Sequence, residues 1–472
     1  MKPRRIAVIG GGISGLAFAN RIREAAKADS APFEISIVEA QDRLGGIIES
    51  FRDENFLFEG GPESFITEKP WALELCQRLG LGSQLINTRA EYRRSFIVRK
   101  GRLEAVPEGF YLIAPSRILP FLKSGIMSWR GKMRVLAEPF LPARKNSGDE
   151  SAASFIRRRF GAEALRWAGQ PMLGGIYSAD PERLSLRATF PKFLDWERDH
   201  GSIIRALRAR SRAGKNSESL ASGPRYGLFA SLRTGMESLI RALLAHNPDL
   251  SVTTGAAAVR LSRTSEGWTI LLGSGQELRA DAVACALPGP RAARLLAPEF
   301  PELAAQIASI PCSSSVTVNL GYREFPLVSK FRGFGFVVPE EEGSGILGCT
   351  FSHLKFEGRA PSDQALLRVF LRGKLRDRAL AEKDEKVVTE VLLELERLLG
   401  ISARPVLSAV RRYPDSMPQY EVGHLDKAAA ILKRSNEIPG LYLLGNTYCG
   451  VGLPDCIRLA ESKAIEAMEF LS

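Results

Sequence analysis

The sequence predicts an α/β fold organised round a nucleotide-binding domain that long insertions interrupt. Three observations predict it. Residues Arg4 to Glu39 read as strand, glycine turn, helix and strand. Residues Leu441 to Leu471 repeat the order of apolar strand, glycine-rich turn and helix. Between them strands and helices interleave, with neither an internal repeat nor a low-complexity tract.

In the opening unit, Ile6, Ala7, Val8 and Ile9 form an apolar run of buried-strand length. Gly10, Gly12 and Gly15 fit G-x-G-x-x-G, with Gly11, Ile13 and Ser14 between them. Gly10 allows the tight turn, Gly12 lets the backbone approach a pyrophosphate, and Gly15 lets helix and strand pack closely. The helix start offers unpaired N–H groups and a positive dipole end to phosphate. The second strand ends on Glu39, before Ala40, where an acid accepts a hydrogen bond from a ribose hydroxyl. Gly343, Gly345 and Gly348 match the same spacing. They follow an acidic run and lead into a strand, so they read as a hairpin turn.

The 472 residues are 45% hydrophobic and 25% charged, enough for two or three cored domains. A formal charge of +12 favours anionic partners. No basic block carries interleaved aromatics, which argues against nucleic acid. The six cysteines are scattered without C-x-x-C and read as thiols of a reducing compartment. Four histidines, none at ligand spacing, make a metal site or a His-driven triad improbable. No signal peptide and no apolar run of about 18 residues is found, which points to the cytoplasm.

After Glu39, Arg43 leads to Gly45 and Gly46. This is a glycine-rich hairpin loop, or a guanidinium and close-approach glycines lying along a long dinucleotide. Gly60, Gly61, Pro62, Glu63 and Ser64 make a second such loop. Trp71 to Leu79 reads as a helix, and Arg93, Arg94 and Arg99 flank a strand. Residues 106–144 interleave large apolar side chains with Arg117, Lys123, Arg130, Lys132 and Arg134. That pattern suits an amphipathic membrane-surface segment, or helices packed on a neighbouring domain with basic residues outward.

Residues 144–153 read as a polar linker before a helix from Ser154 to Phe160. Gly174 and Gly175 are expected to precede a strand-like or looped turn, and Arg208 to Gly223 a mobile loop. Strands are expected at Leu250 to Val259, Trp268 to Leu272, Ala282 to Leu287, Val316 to Tyr322 and Gly333 to Val338. Helices follow at Gly235 to His246 and Val387 to Leu399. Near the C-terminal end GNTYCGVGLPDCI joins a strand to a helix start, which can aim its dipole at an electron-rich cofactor edge.

The chain resembles the oxygen-dependent porphyrinogen oxidases, comprising protoporphyrinogen oxidases and coproporphyrinogen III oxidases. GGGISGLA, EAQDRLGG and FEGGPESF are shared with the wider amine-oxidase-like flavoenzymes. GGIYSADPERLSLRATFP, GFGFVVP, MPQYEVGHL and LYLLGNTYCGVGLPDCI are more specific, and their order runs the whole chain. The resemblance implies a discontinuous FAD-binding Rossmann-type domain (1–88, 225–290 and 405–472), a mainly helical insertion that could form a membrane-surface domain (89–224), and a mixed-sheet substrate domain (291–404 with parts of the neighbouring segments).

It also implies a site. Gly10 to Gly15 and Glu39 would hold the pyrophosphate and adenosine ribose of FAD. Arg43, Gly46, Gly61, Pro62, Glu63 and Ser64 would line the cofactor, and Val259 would meet the adenine by its backbone. Val451, Gly452 and Leu453 would sit beside the flavin ring. Tyr413 stands where the family usually has Trp. Phe334, Gly335 and Val337 match slab positions for the macrocycle, and Gly175 a backbone position near the reacting centre. Ser95 stands where many protoporphyrinogen oxidases have Arg and where coproporphyrinogen oxidases of the Gram-positive type have Ser. Arg94 or Arg99 could supply a cation there. The implied reaction removes six hydrogens in three two-electron steps, with O2 as acceptor and H2O2 as product. Another amine-oxidase-like flavoenzyme, an amine oxidase or a carotenoid desaturase, is the alternative. For His424 a structural cap or core hydrogen bond is expected before catalysis.

Overall fold

The computed structural model describes residues 3–29, 33–53, 55–144, 148–212, 229–323 and 332–472. Its nucleotide domain centres on five parallel strands in the order Ser251–Thr253, Phe33–Val38, Arg4–Ile9, Ala282–Cys285 and Leu441–Leu443. A parallel sheet is covered on both faces, which explains the unbroken apolar run Ile6 to Ile9. Ile6 and Val8 meet the helices Ile13–Asp29, Glu237–His246 and Leu453–Leu471. Ala7 and Ile9 meet Trp268 and the helices Gly289–Leu296 and Pro301–Ala308 on the other face. The expected strand Leu250 to Val259 is two strands, Ser251–Thr253 in this sheet and Ala258–Thr264 in a separate antiparallel three-strand sheet. Gly255, at φ 64°, breaks the run between them.

The second domain is a seven-strand mixed sheet in the order Leu407–Pro418, Cys312–Tyr322, Ala365–Leu371, Ile346–Phe351, Gly335–Val337, Ser95–Arg99 and Arg102–Ala105. Its strands therefore come from all three implied domains. The neighbouring segments that join 291–404 are Ser95–Arg99 and Arg102–Ala105 from the insertion and Leu407–Pro418 from the last stretch of the chain. Alternation decides the faces. Val316, Val318, Leu320, Leu367 and Val369 form a core with the helix Asp384–Leu399. Thr317, Asn319 and Arg368 therefore belong to the opposite face, and Arg368 reaches the Gly60 carbonyl of the nucleotide domain. Gly343, in the left-handed region, sits in the hairpin between Gly335–Val337 and Ile346–Phe351.

The insertion packs short helices round Phe155, Phe160, Phe190, Phe193 and Trp196. Arg159 and Glu138 are both fully buried and paired there. Glu138 also accepts from Ser202 Oγ at 2.5 Å and Ile203 N at 3.0 Å, so the buried charges are satisfied by more than each other. Gly174 and Gly175 lie inside the helix Gln170–Tyr177, ahead of the expected turn. The helix survives two glycines because they let it lie flat on the sheet. A Cβ at Gly174 would touch Leu347 at 3.4 Å, and one at Gly175 would touch Val337 at 3.6 Å. The turn comes after them, at Ser178 with φ 49°. Residues 208–212, expected in a loop, end the helix Ile203–Arg212, and the rest of that loop lies outside the described residues.

Candidate functional site

The glycine turn divides its labour. A Cβ on Gly10 would lie 2.7 Å from the Ala286 carbonyl oxygen, and one on Gly15 would lie 2.1 Å from the Gly10 carbonyl oxygen. Both glycines are needed for packing within the fold. Gly12 differs, because a Cβ there would meet nothing nearer than the Gly46 Cα at 4.0 Å. Gly12 pairs with Gly45 as a parallel bridge, and Gly45 N donates to Gly11 O at 2.8 Å. The two glycine loops thus face each other beside the start of the helix Ile13–Asp29, where Ile13 and Ser14 supply first-turn N–H groups.

Glu39 is buried and held by two amides, Gly11 N at 2.7 Å and Gln41 N at 2.9 Å. One backbone thereby fixes the acid beside the glycine turn, and exposed Ala40 follows it. Val259 is exposed, on a register shift at the start of its strand, and neighbouring Ala256 N donates to Glu39 O. Arg43 spends its guanidinium on its own loop, donating to Gly46 O at 2.7 Å and to Ile48 O at 3.2 Å, and pairing with Glu49.

The 60–64 loop joins the two domains. Gly61 must be glycine because a Cβ would overlap the Ile47 carbonyl. Pro62 and Ser64 are half-buried. The Glu63 carboxylate turns to the substrate sheet, accepting from Ser352 Oγ at 2.5 Å and Lys355 Nζ at 2.9 Å. Burial works to raise its pKa, but Lys355 and Arg368 outweigh burial and hold it at about 2. Tyr413 is half-buried, its pKa raised by burial, and its hydroxyl has no hydrogen-bond partner among the described residues. A Cβ on Gly60 would lie 2.9 Å from that hydroxyl, so Tyr413 caps the loop.

At the far side of the domain Gly452 precedes the helix Leu453–Leu471, with Val451 half-buried and Leu453 in the core. Tyr420 holds this loop, donating to Asn446 O at 2.5 Å and accepting from Gly450 N at 2.7 Å. His424 stacks on Tyr420 with ring centroids 3.7 Å apart. Burial lowers its pKa to about 4, which leaves it neutral, in agreement with a structural part. Lys69 grips Asp455 in the first turn of the same helix.

The expected substrate positions split. The parallel pairing of Gly335–Val337 with Ser95–Arg99 sets Gly335 opposite Ser95. Val337, facing Gly175, and Val451 both pack on the cluster that contains Leu173, Tyr177 and Tyr420. Phe334 is buried, and its N donates to Arg94 O at 2.7 Å. Buried Ser95 and exposed Arg94 therefore serve different places. Arg94 lines a cavity of about 890 Å³ with Arg93, Lys123 and Arg332. Two acids also line it, but Glu91 is paired with Arg89 and Glu108 with Arg117.

Sequence reading missed Lys69, Tyr420 and Arg368. A signal existed for the last. Arg368 interrupts ALLRVFL, and Thr317 and Asn319 alternate with valines in VTVNL, so one face of two apolar strands is polar.

An open glycine at a helix start, an acid pinned beside it and a phenol hydroxyl unpartnered among the described residues together suit a dinucleotide that reaches the second domain. The model for the flavin containing amine oxidoreductases matches residues 13–466. A coproporphyrinogen III oxidase of Bacillus subtilis (strain 168) is 32% identical, covering 99% of this chain and 98% of its own. A protoporphyrinogen oxidase of Bos taurus is also 32% identical, covering 98% of each. A crystal structure from Exiguobacterium sp. 255-15, named as a candidate protoporphyrinogen oxidase, superposes with TM-score 0.88 at 29% identity over 100% of both chains.

Proposed function

Because the chain belongs to the flavin containing amine oxidoreductases, we propose that it is an FAD enzyme oxidising a porphyrinogen to the porphyrin in haem biosynthesis, coproporphyrinogen III being preferred. The observation that carries the reading is that Val337, which Gly175 faces, and Val451 pack on one apolar cluster. The substrate sheet, the insertion and the glycine loop before the helix Leu453–Leu471 all contribute side chains to that cluster or against it.

FAD would be held by Gly10 to Gly15, Glu39, Arg43, Gly46 and the 61–64 loop, with Val259 at the adenine and Val451 to Leu453 at the ring. Bound FAD supplies the two-electron acceptance that no side chain has. The chain's residues bind and orient. Val337 and Gly175 provide a flat apolar wall for a macrocycle, and Tyr420 fixes the loop opposite it. Arg93, Arg94, Lys123 and Arg332 line a cavity that Val337 and Gly175 do not line, and our reading takes it as the place where carboxylates reach four cations. Coproporphyrinogen carries four carboxylates and protoporphyrinogen two, so this cation set favours the former. Ser95, without charge, leaves that work to its neighbours.

Purified holoenzyme given each porphyrinogen in air tests the reading through porphyrin fluorescence and H2O2. A higher kcat/KM for coproporphyrinogen is expected. Preference for protoporphyrinogen removes the four-cation argument, and turnover of neither removes the porphyrinogen reading.

Among the described residues no helix is long and apolar enough to cross a membrane. Our reading places the chain in the cytoplasm with peripheral contact through 106–144. Leu119, Trp129, Met133 and Phe140 are exposed there, Phe140 at 85%, beside exposed Lys123 and Arg130. Not every basic residue of the segment faces out. Lys132 is buried on the Leu122 and Ser124 carbonyls, and Arg134 donates to the Arg158 and Arg159 carbonyls.

A further inference from the structure

Four polar groups on one face of the substrate sheet lack what burial demands. Asn319 is 1% exposed, yet neither its amide oxygen nor its amide nitrogen has a hydrogen-bond partner among the described residues. The Thr317 hydroxyl and the Arg368 Nε are buried and equally unpartnered. Asn319 and Arg368 are directly paired across adjacent strands, and Thr317 lies two residues along the same face. Buried polar groups are hydrogen-bonded as a rule, and each one left bare costs about 1–3 kcal/mol. Such a cluster is a place for water or a small polar molecule.

The face is also charged. Arg368 donates to the carbonyls of Gly60 and Gly61, in the loop that the FAD reading lays along the cofactor. Lys355 and Arg368 share one carboxylate, Glu63, so the three together leave one positive charge. His353 adds none, because burial lowers its pKa to about 4. A net positive charge in a water-poor seam acts strongly on any anion formed beside it.

We propose that Arg368 is the cation that speeds the reaction of the reduced cofactor with O2, and that Asn319 and Thr317 hold the water that delivers a proton to the product. The inference rests on the reading of an O2-reoxidised FAD enzyme. The reduced cofactor carries one proton and a negative charge. It gives up two electrons and that proton, a second proton arrives through the water, and O2 leaves as H2O2. Transfer of the first electron puts negative charge on oxygen, and Arg368 offsets that charge while it lasts.

The test separates the oxygen step from the porphyrinogen. Holoenzyme is photoreduced without oxygen or substrate, then mixed with oxygenated buffer, and the flavin absorbance is followed. Arg368→Met should lower the second-order rate constant about tenfold or more, while Arg368→Lys keeps it within about threefold. An unchanged rate in Arg368→Met overturns the proposal. If that variant does not retain FAD, sulfite titration of the wild type decides. Sulfite is an anion that adds to oxidised flavin and bleaches it where a positive charge is close. Bleaching of the wild type is expected, and its absence overturns the proposal. A wrong porphyrinogen reading would look different: normal reoxidation by O2, but no reduction by coproporphyrinogen.

Discussion

Lys69 Nζ reaches both carboxylate oxygens of Asp455, at 2.8 and 2.6 Å, across the loop that precedes the helix Leu453–Leu471. Asp455 is buried and Lys69 only half so. A Cβ on Gly450 would lie 2.4 Å from the Asp455 carboxyl carbon, so the acid is wedged under the glycine loop. Lys69→Met would leave that carboxylate unpaired under the loop that our reading sets beside the cofactor ring. We expect FAD to bind about tenfold more weakly, a change of about 1.4 kcal/mol, with Lys69→Arg restoring it. Titration of apoprotein with FAD measures this, and equal dissociation constants for Lys69→Met and wild type would refute it.

Gly175 is exposed and faces Val337, with which an added methyl group would make ordinary contact. Gly175→Ala should fold and bind FAD as the wild type does. Gly175→Leu should fill the space where the porphyrinogen reading sets the macrocycle, raising KM by about a hundredfold, the scale of 3 kcal/mol, with FAD content unchanged. Steady-state kinetics beside flavin absorbance would check both. A Leu variant with native KM would move the substrate elsewhere.

Glu63 should set part of the acid limit of stability. Its folded pKa of about 2 lies below the 4.5 of an unpaired glutamate in water. A depressed carboxylate stabilises the fold fully above the unfolded pKa, and this is lost as pH falls through the folded one. The window is therefore 4.5 down to about 2. The wild type should lose about 3 kcal/mol across it from this group. Glu63→Gln should be less stable at neutral pH and show a flatter acid limb. Denaturant midpoints at several pH values would decide, and parallel acid limbs would count against the pair with Lys355.

The membrane reading makes its own demand. The protein should co-sediment with anionic vesicles at low salt and release as salt rises, since exposed charges are screened within about 10 Å at 0.1 M. Trp129→Ser with Phe140→Ser should weaken binding without loss of activity in solution. Failure to sediment at low salt would leave these exposed side chains without a lipid partner.

Local patterns were legible and distant meetings were not. Gly10, Gly12 and Gly15 announce themselves because strand, turn and helix are adjacent in sequence, and the structure adds which glycine faces open space. The pairing of Ser95 with Gly335 depends on two segments that meet only in the folded sheet. No spacing rule reveals it. Sequence reading places Gly174 and Gly175 ahead of a turn but assigns no helix to them, because glycine is a poor helix former. Their helix persists through contact with Leu347 and Val337, which sequence periodicity does not contain. The Arg94 side chain and the Ser95 side chain are neighbours in sequence but face different surroundings, since one strand residue later the direction reverses.

The helix Ile13–Asp29 packs extensively on the helix Leu453–Leu471, and the strand Arg4–Ile9 lies beside Ala282–Cys285, which in turn pairs with Leu441–Leu443. During synthesis the glycine turn therefore emerges long before the surface it needs. Through most of translation Ile6, Val8 and Leu16 have no partner from the helix Leu453–Leu471, and the sequence separation of these contacts makes closure slow. Cofactor capture is then a late event in the life of each molecule. Any mishap that stops the ribosome before that helix yields a chain with its fingerprint motif intact and nowhere to keep FAD.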